Sequence, residues 1–178
     1  MIRMRHILDG LYTVTALLGA AFIVAIGVLM TAQVVGRELG IQVKGADDLT
    51  AWSVVAAGFL PLAHTFRHGG HIRVSLLIEK ARGPLRRALE LVVLITALFF
   101  VGYLTWSGFD MVRDSLRFDD LSQGLLVIPI WIPQISIPIG TLVLTIAILD
   151  DIVTTLFGGA PSYLDEEKQT NLLQTHID

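Results

Sequence analysis

Four stretches of this chain contain no Asp, Glu, Lys or Arg, and each is long enough to cross a lipid bilayer. They are Gly10–Gly36, Leu49–Phe66, Leu91–Phe109 and Leu121–Leu149. Because an α-helix rises about 1.5 Å per residue, roughly 20 apolar residues span the hydrocarbon core. Four such segments in 178 residues leave room for little else. The sequence therefore predicts a small, all-α integral membrane protein with four transmembrane helices.

The composition excludes several other classes of protein. Hydrophobic residues make up 53% of the chain and charged residues only 16%, against about 25% charged residues in soluble domains. A water-soluble fold of this length has too little interior to hide so much apolar surface. The net charge of −3 gives no basic surface for nucleic acid. With no cysteine, disulfides, thiolate nucleophiles and cysteine-bound metals are excluded.

We predict a single domain over residues 1–178, with a polar tail at 158–178. The first apolar run follows Arg3 and Arg5, as a secretory signal would, but a signal has only about 7–15 apolar residues. This run is much longer, so it is predicted to be an uncleaved span. The four predicted spans are 10–36, 49–66, 89–109 and 130–152.

The basic residues are divided unequally between the two sides of the predicted bundle. Nine of the 13 lysines and arginines lie in the N-terminal segment, the middle loop and the C-terminal tail. The positive-inside rule therefore predicts that both termini are cytoplasmic. In this orientation Trp52, Trp106 and Trp131 all fall near the outer interface, the depth that indole rings prefer.

The loop between spans two and three carries apolar residues at helical spacing. They are Val74, Leu77, Ile78, Ala81 and Leu85. This spacing predicts a short amphipathic helix that lies in the inner interface. Its cations would contact lipid headgroups; they are Arg73, Lys80 and Arg82. The alternative is a solvated loop that happens to be basic.

Prolines interrupt the apolar pattern in two places. Pro129, Pro133 and Pro138 precede or open span four, and proline removes a backbone donor and delays or bends a helix. We therefore expect span four to become helical near Pro133 or Pro138, after an extended or re-entrant segment that other parts of the protein cover. Pro61 predicts a mild kink in span two.

The four charge-free runs lack the groups that most chemical functions need. Transport of ions by a single subunit usually requires ionisable residues at depth, and none is present. Asp150 and Asp151 follow the last charge-free residue of span four, at the inner interface, where we expect them to be solvated or paired with Arg86 or Arg87. A metal site at His64, His68 and His71 is disfavoured by the intervening glycines. Haem would need facing histidines at depth. We therefore predict no cofactor, no catalytic residue and no metal.

Several short motifs resemble one family of membrane proteins. Asp47-Asp48-Leu49 opens span two, and Arg67-His68-Gly69-Gly70-His71-Ile72-Arg73-Val74 follows its cytoplasmic end. Gly124-Leu125-Leu126-Val127-Ile128-Pro129-Ile130-Trp131 and then Ile137-Pro138-Ile139-Gly140 lead into span four. In order, spacing and topology these resemble the small, DctQ-like membrane subunit of tripartite ATP-independent periplasmic (TRAP) transporters. The resemblance extends from Arg5 to about Phe157.

The resemblance implies a function and a set of partners. Such subunits pair with a large multi-span (DctM-like) permease subunit, which holds the substrate and sodium sites and moves like an elevator. A periplasmic solute-binding (DctP-like) protein delivers an organic anion, often a carboxylate, to the outer face. The small subunit is then a non-catalytic scaffold in a bacterial or archaeal inner membrane, in contact with membrane lipids and not with nucleic acid. Sodium is expected in the partner subunit.

Acidic residues on the outer side are candidates for docking the binding protein. They are Asp47, Asp48, Asp119 and Asp120. The alternative is that the outer acids are solvated, with Asp110 and Arg113 paired along an outward-extending helix. Two other functions also remain open: an autonomous small four-helix transporter, and a haem-bearing membrane electron carrier.

The predicted orientation is tested by reporter fusions at Asp178 and near Asp114. We expect the fusion at Asp178 to report a cytoplasmic position and the one near Asp114 an external position, because the cations favour the inner side. An external C-terminus would contradict the orientation and every assignment of side that depends on it.

Overall fold

The computed structural model describes residues 2–41, 43–68 and 84–156, and these ranges contain six helices. In chain order they are α1 (Ile2–Glu38), α2 (Ala46–Phe59), α3 (Leu62–Arg67), α4 (Pro84–Arg117), α5 (Trp131–Gln134) and α6 (Ser136–Leu156). No strand occurs among the described residues. The predicted all-α class is confirmed, whereas the predicted amphipathic helix over Arg73–Arg82 lies outside the described residues.

Four helical segments are long and apolar enough to cross a membrane. They are Leu8–Glu38, Ala46–Arg67, Leu85–Arg117 and Trp131–Leu156. The first three begin before the predicted spans and end after them, and the fourth extends past its predicted end to Leu156. The helices are longer because helix formation does not stop where the charge-free run stops. The largest difference is in α4, which begins at Pro84 and continues past Phe109 to Arg117. Proline is well tolerated at a first helical position, where its missing N–H has no partner to lose.

Pro61 separates α2 from α3. The sequence predicted a mild kink, and the structure has a short break in which α2 ends at Phe59 and α3 begins at Leu62. Backbone hydrogen bonds continue across it, from Leu60 N to the Ala56 carbonyl at 3.0 Å and from Thr65 N to the Pro61 carbonyl at 3.0 Å. The proline ring lies against Gly19 of α1, where a Cβ would come within 2.8 Å of it. The break is therefore held by a neighbouring helix.

The entry to the fourth span is not helical, as the prolines predicted. Residues 118–130 form an outer loop with one isolated antiparallel bridge between Leu121 and Pro129. A single turn follows over Trp131–Gln134, and the long helix begins at Ser136. Pro133 and Pro138 therefore both lie in the first turn of a helix, where proline does little harm.

The helices pack in two pairs, which are joined where α6 contacts both α2 and α3. Helix α4 packs along α6, and α1 packs along α2. The buried core contains Tyr12, Ala63, Leu94, Val143, Leu144, Ala147 and Ile148. Gly140 of α6 lies against the backbone of α2, since a Cβ there would overlap the Phe59 carbonyl oxygen. Small residues permit this kind of close approach between membrane helices.

We expect Gly140→Ala to destabilise the fold by about 1–3 kcal/mol, because the added methyl group forces α6 away from the α2 backbone. Thermal unfolding of the purified protein in detergent measures this change. Gly102→Ala in α4 is the control, since a Cβ there meets no atom within 4 Å. Equal stability of the two variants would show that the close approach contributes nothing.

Candidate functional surfaces at the two ends of the bundle

One arginine joins three helices at the end of the bundle that the charge pattern predicts to be cytoplasmic, here called the inner end. Arg67 Nε lies 3.0 Å from Asp9 Oδ1 of α1, and its Nη1 donates to Asp150 Oδ2 of α6 at 3.1 Å. The guanidinium also lies 5.3 Å from the centre of the Tyr12 ring, within cation–π range. We call Asp9, Arg67 and Asp150 the inner triad.

The inner triad is only partly shielded from solvent. The side chain of Arg67 is 15% exposed and that of Asp150 is 21% exposed, whereas Asp9 is 48% exposed. Arginine suits this position because its planar fork of donors serves two carboxylates at once. The Asp150–Arg67 contact therefore contributes more to stability than the Asp9–Arg67 contact, which water screens.

Asp150 is paired with an arginine, as predicted, but not with Arg86 or Arg87. Arg67 takes that role because the α2–α3 segment brings it next to α6. Arg86 Nε instead lies 2.9 Å from Glu90 Oε1, one turn along α4. Glu90 is 5% exposed and Asp151 is 2% exposed. The inner end therefore contains buried acidic side chains in addition to the more exposed carboxylates of the inner triad.

Four threonine hydroxyls of α4 and α6 are bonded within the bundle. Thr105 and Thr145 approach each other at 3.2 Å between α4 and α6. Each hydroxyl also bonds to a carbonyl of its own helix, at 2.9 Å for Thr105 and 2.8 Å for Thr145. Thr141 and Thr96 bond in the same way. The Thr105–Thr145 contact joins α4 to α6, whereas the bonds of Thr141 and Thr96 lie within their own helices, where the hydroxyls satisfy local carbonyls.

At the opposite, outer end, Asp48 fastens the outer loop to the start of α2. Its Oδ2 accepts a hydrogen bond from Leu126 N at 3.0 Å. The Leu126 side chain packs where a Cβ on Gly45 would stand, and Gly124 lies directly against the Asp48 carboxylate. Gly45 has a φ of 77°, a conformation that glycine adopts without strain. Neither glycine has room for a side chain.

The outer loop is also bonded to itself. Ser122 N donates to the Ile128 carbonyl at 2.9 Å, and Ile130 N donates to the Asp120 carbonyl at 3.0 Å. Ser115 of α4 donates to Gln134 Oε1 at 2.8 Å. The loop is therefore a defined structure fixed to both α2 and α4.

A cleft of about 360 Å³ opens between the end of α1 and the outer loop. It is lined by Gln33, Arg37, Gly40, Ile41, Val43, Asp47 and Leu125. Gln33 Nε2 donates to Asp47 Oδ1 at 2.7 Å on one wall. The lining combines one cation, one anion and several apolar side chains.

The structure does not bring the four candidate docking acids together as one group. Asp47 bonds to Gln33 and Asp48 to the outer loop. Asp119 and Asp120 are exposed in the turn after α4, and Asp119 has a φ of 51°. The expected pairing along the extended helix occurs at Asp110 and Arg113, at 3.6 Å.

Two further groups of candidates can be placed only in part. The candidate lipid contacts Arg73, Val74, Leu77, Ile78, Lys80 and Arg82 lie outside the described residues. Within the described ranges, no group of three histidine or acidic residues is arranged to hold a metal. The rings of His64 and His68 lie 4.0 Å apart, and His71 is outside those ranges.

Taken together, these features define a multi-pass helical membrane protein whose charged groups lie at its ends. The comparison with known families agrees. The sequence model of the DctQ component of tripartite ATP-independent periplasmic transporters matches residues 26–158. The chain therefore belongs to the DctQ family and is a component of a TRAP transporter. No curated protein matches the chain.

We expect Arg67→Gln to destabilise the isolated protein by roughly 1–3 kcal/mol, because it leaves Asp150 without its charged partner. Thermal unfolding in detergent measures the loss, with Arg87→Gln on the exposed side of α4 as the control. Combining Arg67→Gln with Asp150→Asn should cost less than the sum of the two single changes. Strict additivity would show that the contact does not couple the helices.

Proposed function

We propose that this chain is the non-catalytic scaffold subunit of a sodium-coupled TRAP transporter that imports organic anions. A large DctM-like subunit would hold the sodium and substrate sites and move between the two sides of the membrane. A periplasmic binding protein would deliver the solute, typically a carboxylate. The observation that carries this proposal is the family match over residues 26–158, together with the position of the charged residues.

The distribution of polar groups supports a role without a transport pathway. A sodium ion or a carboxylate at mid-membrane needs ligands that replace its hydration shell. The described spans offer hydroxyls such as Thr105 and Thr145, which already bond to helix carbonyls and to each other. Among the described residues, charged side chains lie toward the two ends of the bundle, where Arg67 pairs with two carboxylates and buried Glu90 pairs with Arg86.

The packing supports a rigid body. Three helices are joined by Arg67 at the inner end, and Gly140 sets α6 directly against α2. The outer loop is fastened to α2 by Asp48. A fixed scaffold against which a larger domain moves needs this kind of rigidity. Large apolar side chains such as Phe99, Phe100 and Trp106 are exposed on α4, where lipid or the large subunit would cover them.

The proposed location is a bacterial or archaeal inner membrane, with both termini in the cytoplasm. The binding protein would then approach the outer end, where we propose that the exposed acids Asp119 and Asp120 attract it. Charges at the edge of an interface raise the rate of encounter more than the affinity. Asp47 and Asp48 would contribute less directly, since their carboxylates already bond within the chain.

Reconstitution into vesicles tests the proposal. Alone, this chain should show no sodium-dependent uptake of organic anions, and uptake should appear when the large subunit and the binding protein are added. Uptake by the chain alone would show that it is an autonomous transporter. A visible absorption band of the purified protein would favour the haem alternative.

A second measurement asks whether this subunit supplies sodium ligands. We expect Thr105→Val and Thr145→Val to leave the sodium affinity of the whole complex unchanged, because both hydroxyls are already bonded within the bundle. A tenfold shift, about 1.4 kcal/mol, would show that these side chains contribute to the ion site.

A further inference from the structure

The outer loop exposes apolar side chains where lipid tails do not reach. Phe118 is 69% exposed, Leu121 55%, Leu125 68% and Val127 66%. We call these four residues the outer ridge. Exposed apolar groups of this size, clustered on one loop, mark a surface that contacts another molecule.

The length of the helices places the outer ridge outside the hydrocarbon core. From Glu90 at the inner end of α4, a rise of about 1.5 Å per residue reaches about 30 Å, one bilayer core, near Asp110. Helix α4 continues to Arg117, about 10 Å further. This extension contains Asp110, Arg113, Asp114 and Arg117, which are residues of an aqueous or headgroup environment.

The outer loop is a preformed surface. Asp48 holds it over the first turn of α2 through Leu126 N, and its own backbone bonds close it. The Leu126 side chain turns inward against Gly45, while its neighbours Leu125 and Val127 are exposed. A surface that is already ordered loses little conformational entropy when a partner binds.

The position of the outer loop favours one kind of partner. Because the loop covers the start of α2, it lies at the end of the bundle, whereas a membrane subunit packs mainly against the sides of the helices. Exposed Asp119 and Asp120 adjoin Phe118 and Leu121 in the chain. An apolar centre with charges at its edge is the usual composition of a protein–protein interface.

We propose that the outer ridge is the contact surface for a soluble protein that presents an apolar patch bordered by Lys and Arg. This inference rests on the proposed function, in which that protein is the solute-binding component. The outer ridge supplies the affinity, and Asp119 and Asp120 supply electrostatic attraction over a longer range. The cleft beside Leu125 receives a side chain of the same partner.

Uptake by the full three-component complex in vesicles tests the proposal. With Leu125→Ser and Val127→Ser combined, the concentration of binding protein that gives half-maximal uptake should rise at least tenfold, with an unchanged maximal rate. Leu116→Ser is the matched control, since Leu116 is 50% exposed on the α4 extension but is not part of the ridge. It should change this concentration less than twofold.

Substitution of Asp119 and Asp120, at the edge of the outer ridge, should have an effect that depends on salt concentration. Asp119→Lys combined with Asp120→Lys should raise the half-maximal concentration at low salt, and the effect should shrink at high salt because ions screen exposed charges. The effect of the Leu125 and Val127 substitutions should persist at high salt. A half-maximal concentration that Leu125→Ser and Val127→Ser leave unchanged, or that Leu116→Ser raises equally, would overturn the proposal.

Crosslinking identifies the partner without depending on uptake. The chain contains no cysteine, so Leu125→Cys gives a single site for a photoreactive maleimide. Irradiation of the complex should crosslink this position to the binding protein, whereas Phe99→Cys on the lateral face of α4 should not. Crosslinking of Leu125→Cys to the large subunit would overturn the inference while leaving the proposed function intact. Wild-type complex that takes up solute without any binding protein would contradict the proposed function itself.

Discussion

The lipid interior cannot form hydrogen bonds, and this constraint accounts for most of the structure. Each backbone group within the hydrocarbon core must be paired inside its own segment, so the spans are helical. The same constraint moves charge to the ends of the bundle, where Arg67 bonds to Asp9 and Asp150 at one end and Asp48 bonds to the outer loop at the other. The longest irregular segment among the described residues, 118–130, bonds to itself and to α2.

The two ends of the bundle use charge differently. At the inner end, ion pairs between one cation and two carboxylates connect helices that are distant in sequence. These ion pairs supplement the packing between the helices. At the outer end the Asp48 carboxylate receives a backbone N–H, and the result is a shaped loop. The first arrangement stabilises the bundle. The second leaves the apolar side chains of the outer ridge exposed.

The fold was largely predictable from sequence, whereas the contacts at its ends were not. The positions of charged residues gave the four spans, and Pro129 and Pro133 gave the non-helical entry to the fourth. The inner triad joins residues that are 58 and 83 positions apart in the chain. Apolar periodicity does not predict which faces of two helices contact each other, because nearly every face of these helices is apolar. From sequence alone, Arg67 belongs to the basic loop and Asp48 is a candidate for docking the binding protein. The sequence contained a signal for both contacts. Arg67 and Asp150 lie at the ends of two spans on the same predicted side of the membrane, and Gly45 and Gly124 are small residues where the outer loop meets α2.

The inner triad also has a consequence for the order in which the chain is made. Asp9 and Arg67 belong to the first two spans, so they can neutralise each other soon after those spans enter the membrane. Asp150 follows 83 residues later, at the end of the last span. Until it arrives, α3 lacks its ion pair with α6, and Arg67 has only the more exposed carboxylate of Asp9 as a charged partner. Insertion of the fourth span therefore adds the third charge of the inner triad.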